Sequence, residues 1–349
     1  MKNIIRVLIV DDSAYVRKVI RQMLSRSPFI EVVDVAHDGA DALEKIERLG
    51  DQVDVVTLDL LMPKMDGVEF IKHQMARRPL PVIVVSIANE GGEKFLAALD
   101  AGAVDFVHKP TALATEKMFD ISDELIAKVK TASTVPIHCI TNVNELPSSL
   151  PLPRPPMSSG KIELVAIGIS TGGPQALAFL IPQLPENLPV PVVVVLHMPV
   201  GYTNMYAQRL NRLCSLDVKE AQAGDLVRPG EVLIAQAGHH LSFKRNRDQN
   251  VVVHLHTKPF DLPHRPSVDV MFQSAAEIYK ERVLGVVMTG MGSDGKQGAA
   301  WIKSHGGSVF TEAEESCVVY GMPRTVVEAG LSDRSIPLNQ MAKAIVDYL

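Results

Sequence analysis

Five short apolar runs alternate with five stretches of helical spacing in the first 130 residues, and few folds accommodate that pattern. Arg6–Val10, Ile30–Ala36, Val53–Leu58, Val82–Val85 and Asp105–Val107 read as strands. Tyr15, Val16, Val19, Ile20, Met23 and Leu24 mark the first helix. Asp41–Leu49, Gly67–Arg77, Glu93–Ala101 and Ser122–Lys130 mark the others. Strands that alternate with helices in this way form a parallel sheet covered on both faces, a doubly wound α/β domain.

The polar residues of this region fall at the strand ends. Asp11, Asp12, Asp59, Ser86 and Lys109 each follow an apolar run, and in an open α/β sheet that edge is where ligands bind. Three carboxylates gathered there repel one another unless a hard cation holds them, and a group of oxygens suits Mg²⁺. Lys109 can pair with Asp59 or with an added phosphoryl group, to which Ser86 can donate a hydrogen bond. Acids also cap helices, which accounts for Asp12 or Asp66 taken singly. Capping does not explain a lysine and a hydroxyl on the same edge.

Along nearly its whole length this region resembles a response-regulator receiver domain, a flavodoxin-like fold. The resemblance rests on Asp11-Asp12, on Asp59 in Asp59-Leu60-Leu61-Met62-Pro63, and on Asp66-Gly67, Ser86 and Lys109-Pro110. It implies that Asp59 accepts a phosphoryl group from a chemotaxis histidine kinase. It implies also that Asp12, Asp59 and the Leu61 backbone carbonyl hold Mg²⁺ with help from Asp11. Phe106 matches the aromatic that changes rotamer on activation, with Ser86 and Lys109 completing the switch. Leu61 stands where many members carry Glu, and Ser86-Ile87-Ala88 replaces a more hydroxyl-rich stretch.

The periodicity stops between about residues 132 and 160. Pro136, Pro147, Pro151, Pro153, Pro155 and Pro156 punctuate a segment rich in Ser, Thr and Asn. This composition reads as an interdomain linker. A docking motif for a proline-reading domain is the alternative. The expected organisation is a receiver over 1–131, a linker over 132–160 and a second domain over 161–349.

The second domain opens on IELVAIGISTGGPQAL, Ile162 to Leu177. An apolar run, a glycine-rich turn around Ser170 and a helical stretch beginning at Pro174 form the setting in which G-x-S-x-G makes a nucleophile elbow. Further apolar runs cover Val190–His197, Glu231–Ala235, His240–Lys244, Val251–His256 and Val283–Met288, the three in the middle reading as short antiparallel strands. Thr203–Leu213, Val268–Tyr279 and Lys296–Lys303 have helical spacing. Ser170, His197 and Asp294 each follow a separate apolar run. If those strands are parallel, a nucleophile, a base and an orienting acid share one sheet edge. The order Ser…His…Asp differs from that of the α/β-hydrolases.

Other assignments fit less well. Gly290–Lys296 matches the start of a phosphate-binding loop, but Gln297 replaces the Mg²⁺-binding hydroxyl and Asp294 sets a negative charge where phosphates must lie. His254 and His256 share a strand face with no Cys or carboxylate ligand beside them, a pattern of surface histidines. His239, His240, His264 and His305 have no strand-end context.

GISTGGP, LHMP, HRPSVDVMF, MTGMGSDG and CVVYGMP together resemble the catalytic domain of the chemotaxis protein-glutamate methylesterase (CheB) family. With receiver and linker included, the resemblance covers essentially all 349 residues. It implies hydrolysis of glutamate γ-methyl esters on methyl-accepting chemoreceptors, deamidation of receptor glutamines, and no cofactor for the esterase. Carried over by position, Ser170 is the nucleophile, His197 the general base and acid, and Asp294 the orienting carboxylate. Thr171 and Met291 lie near the oxyanion. The receiver is implied to cover the esterase cleft until Asp59 is phosphorylated.

Charge and cysteine usage agree with a soluble cytoplasmic enzyme. Residues 1–131 carry 17 Lys/Arg against 21 Asp/Glu, and residues 161–349 carry 17 against 18, so neither part is a basic nucleic-acid-binding domain. Cys139, Cys214 and Cys317 are far apart and form no disulfide framework. The apolar run near the N-terminus is short for a signal peptide, and no run approaches the ~20 residues of a membrane span.

Overall fold

A computed structural model describes residues 4–87, 92–109, 119, 121–136 and 162–349. The chain divides into two compact units, Met1–Glu145 and Leu146–Leu349. Pro110, Ala88, Cys139 and nearly all of the expected linker lie outside the described residues.

In the first unit the strands are β1 (Ile5–Val10), β2 (Ile30–Ala36), β3 (Val55–Leu58), β4 (Val82–Ile87) and β5 (Asp105–Lys109). The helices are α1 (Ala14–Leu24), α2 (Gly39–Leu49), α3 (Gly67–Arg77), α4 (Gly92–Asp100) and α5 (Ser122–Ala132). The sheet order is β2-β1-β3-β4-β5, with every pair parallel. Strand interiors are apolar because helices cover both faces; Val7, Leu8, Ile9, Val55 and Val56 are fully buried. Polar caps start the helices. Ser13 Oγ accepts the Val16 N–H, Asp38 that of Asp41 and Asp66 that of Glu69. Asp66 is therefore a helix cap, whereas Asp12 is not.

Two expected boundaries shift. Ser86 and Lys109 lie within the last residues of their strands rather than beyond them, because the ladder continues through Ser86↔His108 and Ile87↔Lys109. The first helical unit also extends further than expected: α5 reaches Ala132 and Val135 is buried, so packing continues into what read as the start of the linker.

The second unit holds a seven-stranded parallel sheet of order β14-β13-β12-β6-β7-β9-β8. Its strands are β6 (Leu164–Ile169), β7 (Val192–Leu196), β8 (Asp217–Glu220), β9 (Glu231–Ile234), β12 (Val283–Val287), β13 (Ser308–Glu312) and β14 (Arg334–Ile336). β10 (His240–Arg245) and β11 (Val251–His256) form a separate antiparallel pair. The antiparallel reading thus holds for β10 and β11 and fails for β9, which pairs in parallel with both β7 and β8. The helices are α6 (Gly173–Leu180), α7 (Thr203–Asn211), α8 (Val268–Tyr279), α9 (Lys296–Ser304), α10 (Met322–Glu328) and α11 (Leu338–Tyr348).

The centre of this sheet is β12-β6-β7, every residue of which is buried. α8 lies close against it. A Cβ at Gly168 would come within 2.3 Å of Val268 Cγ1, so the strand needs glycine there to bring the helix N-terminus over its end. No helix among the described residues is long and apolar enough to cross a membrane.

Candidate active site

Ser170, His197 and Asp294 follow β6, β7 and β12, three adjacent parallel strands, so all three reach the same edge of one sheet. The Ser170 turn is tight. The Gly173 N–H donates to the Ser170 carbonyl at 2.7 Å, and Gly172 adopts a φ of 78°, which favours glycine. The Ser170 N–H donates to the Thr289 carbonyl at 2.9 Å, and the His197 N–H to Ile169 at 3.2 Å. Gly290 presses against Ser170. A Cβ built there would lie 2.7 Å from Ser170 Cβ and 2.5 Å from Met322 Sδ. The loop carrying Met291 can approach Ser170 this closely because position 290 has no side chain.

Asp294 is held by many donors. Its Oδ1 accepts from Ser267 Oγ at 2.9 Å, Asp269 N–H at 3.0 Å and Gly295 N–H at 3.1 Å. Its Oδ2 accepts the Val268 N–H at 2.8 Å and lies 2.9 Å from His197 Nε2. Burial alone would raise this carboxyl. The hydrogen bond and charge of His197, with the N–H groups opening α8, outweigh it and hold the group at about 2.

An ionised carboxylate can only accept, so Nε2 of His197 carries the proton it shares with Asp294. Nδ1 is then the basic nitrogen. It is buried and has no hydrogen-bond partner. The structure therefore joins His197 to Asp294 and sets Ser170 on the neighbouring strand end, without a hydrogen bond from the serine to the imidazole. Apo hydroxyl contacts commonly tighten only when substrate binds.

Four neighbours of Ser170, His197 and Asp294 are not singled out by the sequence, although His264, Ser267 and Asp269 fall within HRPSVDVMF. The His264 ring stacks on that of His197, with centroids 4.1 Å apart and planes 18° apart. Ser267 and Asp269 read as an ordinary helix start. Glu312, which reads as one of several acids in TEAEES, is fully buried. Its Oε2 accepts the Thr289 N–H at 2.9 Å and its Oε1 the Ser316 hydroxyl at 3.0 Å. Burial pushes it up to about 7. Burial, with the charge of Asp294 added, likewise pushes Asp269 up to about 6.

The lookalike phosphate loop is occupied by the protein itself. Asp269 Oδ1 accepts the N–H groups of Gly295 at 2.9 Å and Gly298 at 2.7 Å, taking the donors at the start of α9 that a phosphate would need. His254 and His256 are engaged with Ser242, Lys244 and the Lys258 carbonyl.

In the first unit, oxygens of Asp11, Asp12 and Asp59 lie within 4.8 Å of one another, close enough to share one ion. Lys109 Nζ donates to Asp11 Oδ2 at 2.5 Å and to Asp59 Oδ2 at 2.6 Å. Burial works against the Lys109 charge, but the two carboxylates prevail and hold its pKa above the usual lysine value. Burial leaves Asp11 raised, despite Lys109. Three hard oxygen donors, with Asp12 exposed to solvent, fit a divalent cation such as Mg²⁺. Leu61 lies two residues beyond Asp59, with its N–H 3.5 Å from Asp59 Oδ1. Ser86 is half-buried at the end of β4. Phe106 meets Phe95 edge to face with centroids 4.8 Å apart, and Lys128 Nζ lies 4.6 Å from the Phe106 ring centre.

Two family models match the chain. The CheB methylesterase model matches residues 165–345, and the response regulator receiver domain model matches residues 7–118. A protein-glutamate methylesterase/protein-glutamine glutaminase of Myxococcus xanthus is 48% identical over 344 residues, covering 97% of this chain and 96% of the relative. One from Halalkalibacterium halodurans is 43% identical, covering 99% of each. The crystal structure of the Thermotoga maritima CheB methylesterase catalytic domain superposes with a TM-score of 0.53 at 42% identity, covering 54% of this chain and 99% of that one.

Proposed function

The chain belongs to the CheB methylesterase family, with a response regulator receiver domain ahead of the catalytic one, and on that premise we propose that it hydrolyses glutamate γ-methyl esters of chemoreceptors through Ser170. The observation that carries the reading is the His197–Asp294 pair. It spends Nε2 on a carboxylate held at about 2 and leaves Nδ1 as the base on the edge that Ser170 shares.

In this reaction Nδ1 of His197 takes the Ser170 proton as Oγ adds to the ester carbonyl. The carbonyl π electrons move onto oxygen. Backbone N–H groups at Thr171 and Met291 are the proposed donors to that oxyanion. As the tetrahedral species collapses, the C–O bond to methoxide breaks and His197 returns the proton, releasing methanol. Water then adds to the acyl-enzyme, His197 again taking and returning a proton, and the free glutamate leaves. With a glutamine side chain the same steps release ammonia, the deamidation that the relatives' names include. No step of this esterase chemistry requires a cofactor.

The receiver is the proposed control element. Asp59 accepts the phosphoryl group from a chemotaxis histidine kinase. Asp12, Asp59 and the Leu61 carbonyl, with Asp11 beside them, would hold Mg²⁺, which neutralises phosphoryl charge when bound. Lys109, which donates to both Asp11 and Asp59, is proposed to pair with the phosphoryl group, while Ser86 and Phe106 transmit the change. Phosphorylation is proposed to raise esterase activity. The protein is proposed to act in the cytoplasm on the cytoplasmic parts of the receptors, without entering the membrane.

A fluorophosphonate probe tests the nucleophile directly. Mass spectrometry should find one adduct, on Ser170, absent from Ser170→Ala and much slowed in His197→Ala. An adduct on another serine, or undiminished labelling of Ser170→Ala, contradicts the assignment.

A further inference from the structure

We propose that His264 is a positioning residue of the esterase, whose ring fixes the plane of the His197 imidazole so that Nδ1 faces Ser170. The proposal rests on the reading of Ser170, His197 and Asp294 given above.

His197 is tied at one ring atom only, through Nε2 to Asp294. A single hydrogen bond lets the ring tilt about the Nε2···Oδ2 line, and Nδ1 lies off that line, so a tilt moves the basic nitrogen. Nδ1 has no hydrogen bond to hold it. The face contact with His264 removes the remaining freedom: rings 4.1 Å apart and 18° from parallel resist rotation of either plane.

A stacking partner can position only if it is itself held. His264 sits in a segment pinned on both sides. His240, which is fully buried, has its Nε2 3.1 Å from the Pro259 carbonyl and accepts the Ser267 N–H on Nδ1 at 3.3 Å. A carbonyl can only accept, so Nε2 of His240 carries the proton and Nδ1 is the acceptor. Burial lowers the His240 pKa, consistent with this neutral form. Between these ties, the Gly238 N–H donates to the Arg265 carbonyl at 2.9 Å. Ser267, three residues beyond His264, donates its hydroxyl to Asp294. The segment that places the stacked ring therefore also places the acid, and both hold His197 in one frame. His264 opens the HRPSVDVMF stretch, but it follows no strand, and only its contact with His197 gives it this role.

The test compares His264→Ala, which removes the ring, with His264→Phe, which keeps a flat ring and removes its nitrogens. Two readouts are taken on the full-length chain: steady-state methanol release from methylated receptor membranes, and the rate of Ser170 labelling by a fluorophosphonate. For His264→Ala, kcat should fall by about ten-fold or more while KM stays within about two-fold, because a misplaced base costs the chemical step. Labelling should slow in parallel, and His264→Phe should recover most of both.

An alanine variant with wild-type kcat and labelling overturns the proposal. So does a folded phenylalanine variant no better than alanine, since the nitrogens and not the ring would then matter. If thermal unfolding shows that the alanine variant does not fold, the phenylalanine variant decides alone: near-wild-type rates support the proposal and lost rates overturn it. Wild-type protein that labels on Ser170 but releases no methanol contradicts the substrate and leaves the labelling rates to decide on His264. Wild-type protein that does neither removes the premise and the proposal together.

Discussion

Asp269 and Asp294 cap each other's helices. Asp294, just before α9, accepts the Val268 and Asp269 N–H groups at the start of α8, while Asp269, in the first turn of α8, accepts the Gly295 and Gly298 N–H groups at the start of α9. The exchange locks the acid of the triad between two helix N-termini, where negative charge is favoured. The two carboxyls repel, and the protein resolves this unequally: Asp294 is held at about 2 and Asp269 is pushed up to about 6. The one that touches His197 is the one kept ionised.

Loss of that exchange should be measurable as stability and as rate. Asp269→Ala leaves the Gly295 and Gly298 donors without their cap and is expected to cost about 1–2 kcal/mol in denaturant unfolding. Methanol release should fall as well, since Asp294 loses its frame. Asp269→Asn keeps an acceptor and should lose less of both. Equal stability and rate in all three proteins would show that the reciprocal caps are dispensable.

Glu312 should make stability fall as pH rises. Burial pushes its folded pKa up to about 7, above the ordinary glutamate value of 4.5, so the folded state holds the proton more tightly than the unfolded one. The stabilising effect of the bound proton is complete below about 4.5 and is lost as pH rises through about 7. Glu312→Gln keeps an acceptor for the Thr289 N–H and cannot titrate. Relative to wild type it should therefore gain stability between pH 5 and pH 9, read from denaturant unfolding at both. A difference that does not change with pH would contradict the buried titration.

Gly290→Ala tests the close approach at the nucleophile. The new methyl would meet Ser170 Cβ and Met322 Sδ at distances no real contact tolerates, and Met322 is the more flexible of the two. Overpacking should cost about 1–3 kcal/mol of stability. Displacing Ser170 should lower kcat far more, by about a hundred-fold. Wild-type turnover with reduced stability would mean that Met322 alone moves aside.

For the receiver, a small phosphodonor with Mg²⁺ should add one phosphoryl group, seen by intact mass, and Asp59→Asn should abolish it. Lys109→Ala should leave Asp11 and Asp59 without their shared cation and uncouple labelling from esterase activation. Undiminished labelling of Asp59→Asn would move the acceptor elsewhere.

Much of this was legible in the sequence, because a parallel strand buried on both faces must be apolar and its first polar residue then marks the sheet edge. Ser170, His197, Asp11, Asp12 and Asp59 stand at or next to such a transition, while Asp294 lies on the glycine-rich loop seven residues beyond β12. Elsewhere the transition is blurred. Ser86 and Lys109 still pair within their strands. β8, with the sequence DVKE at the sheet margin, is too polar to read as a strand. β9 reads like the short strands that follow it, and only its partners show it to be parallel. The surroundings of the triad were hidden for a different reason. Glu312 is one acid in an acidic run, Asp269 looks like a helix-start carboxylate, and His264 belongs to a loop. Their roles come from contacts with residues 23 or more positions away, such as Glu312 with Thr289 and Asp269 with Gly295 and Gly298. Local periodicity carries none of that. Which nitrogen of His197 is left free of a partner also follows only from the contact of Nε2 with Asp294.

The most direct measurement is the initial rate of methanol release from methylated receptor membranes, with and without a phosphodonor, for wild type, Ser170→Ala and Asp59→Asn. The wild-type chain should release methanol and accelerate when the phosphodonor is added. Asp59→Asn should keep a basal rate that the phosphodonor does not change, and Ser170→Ala, folded to the same extent, should release almost none. Ordinary methanol release by folded Ser170→Ala protein would contradict the serine esterase at the centre of this account.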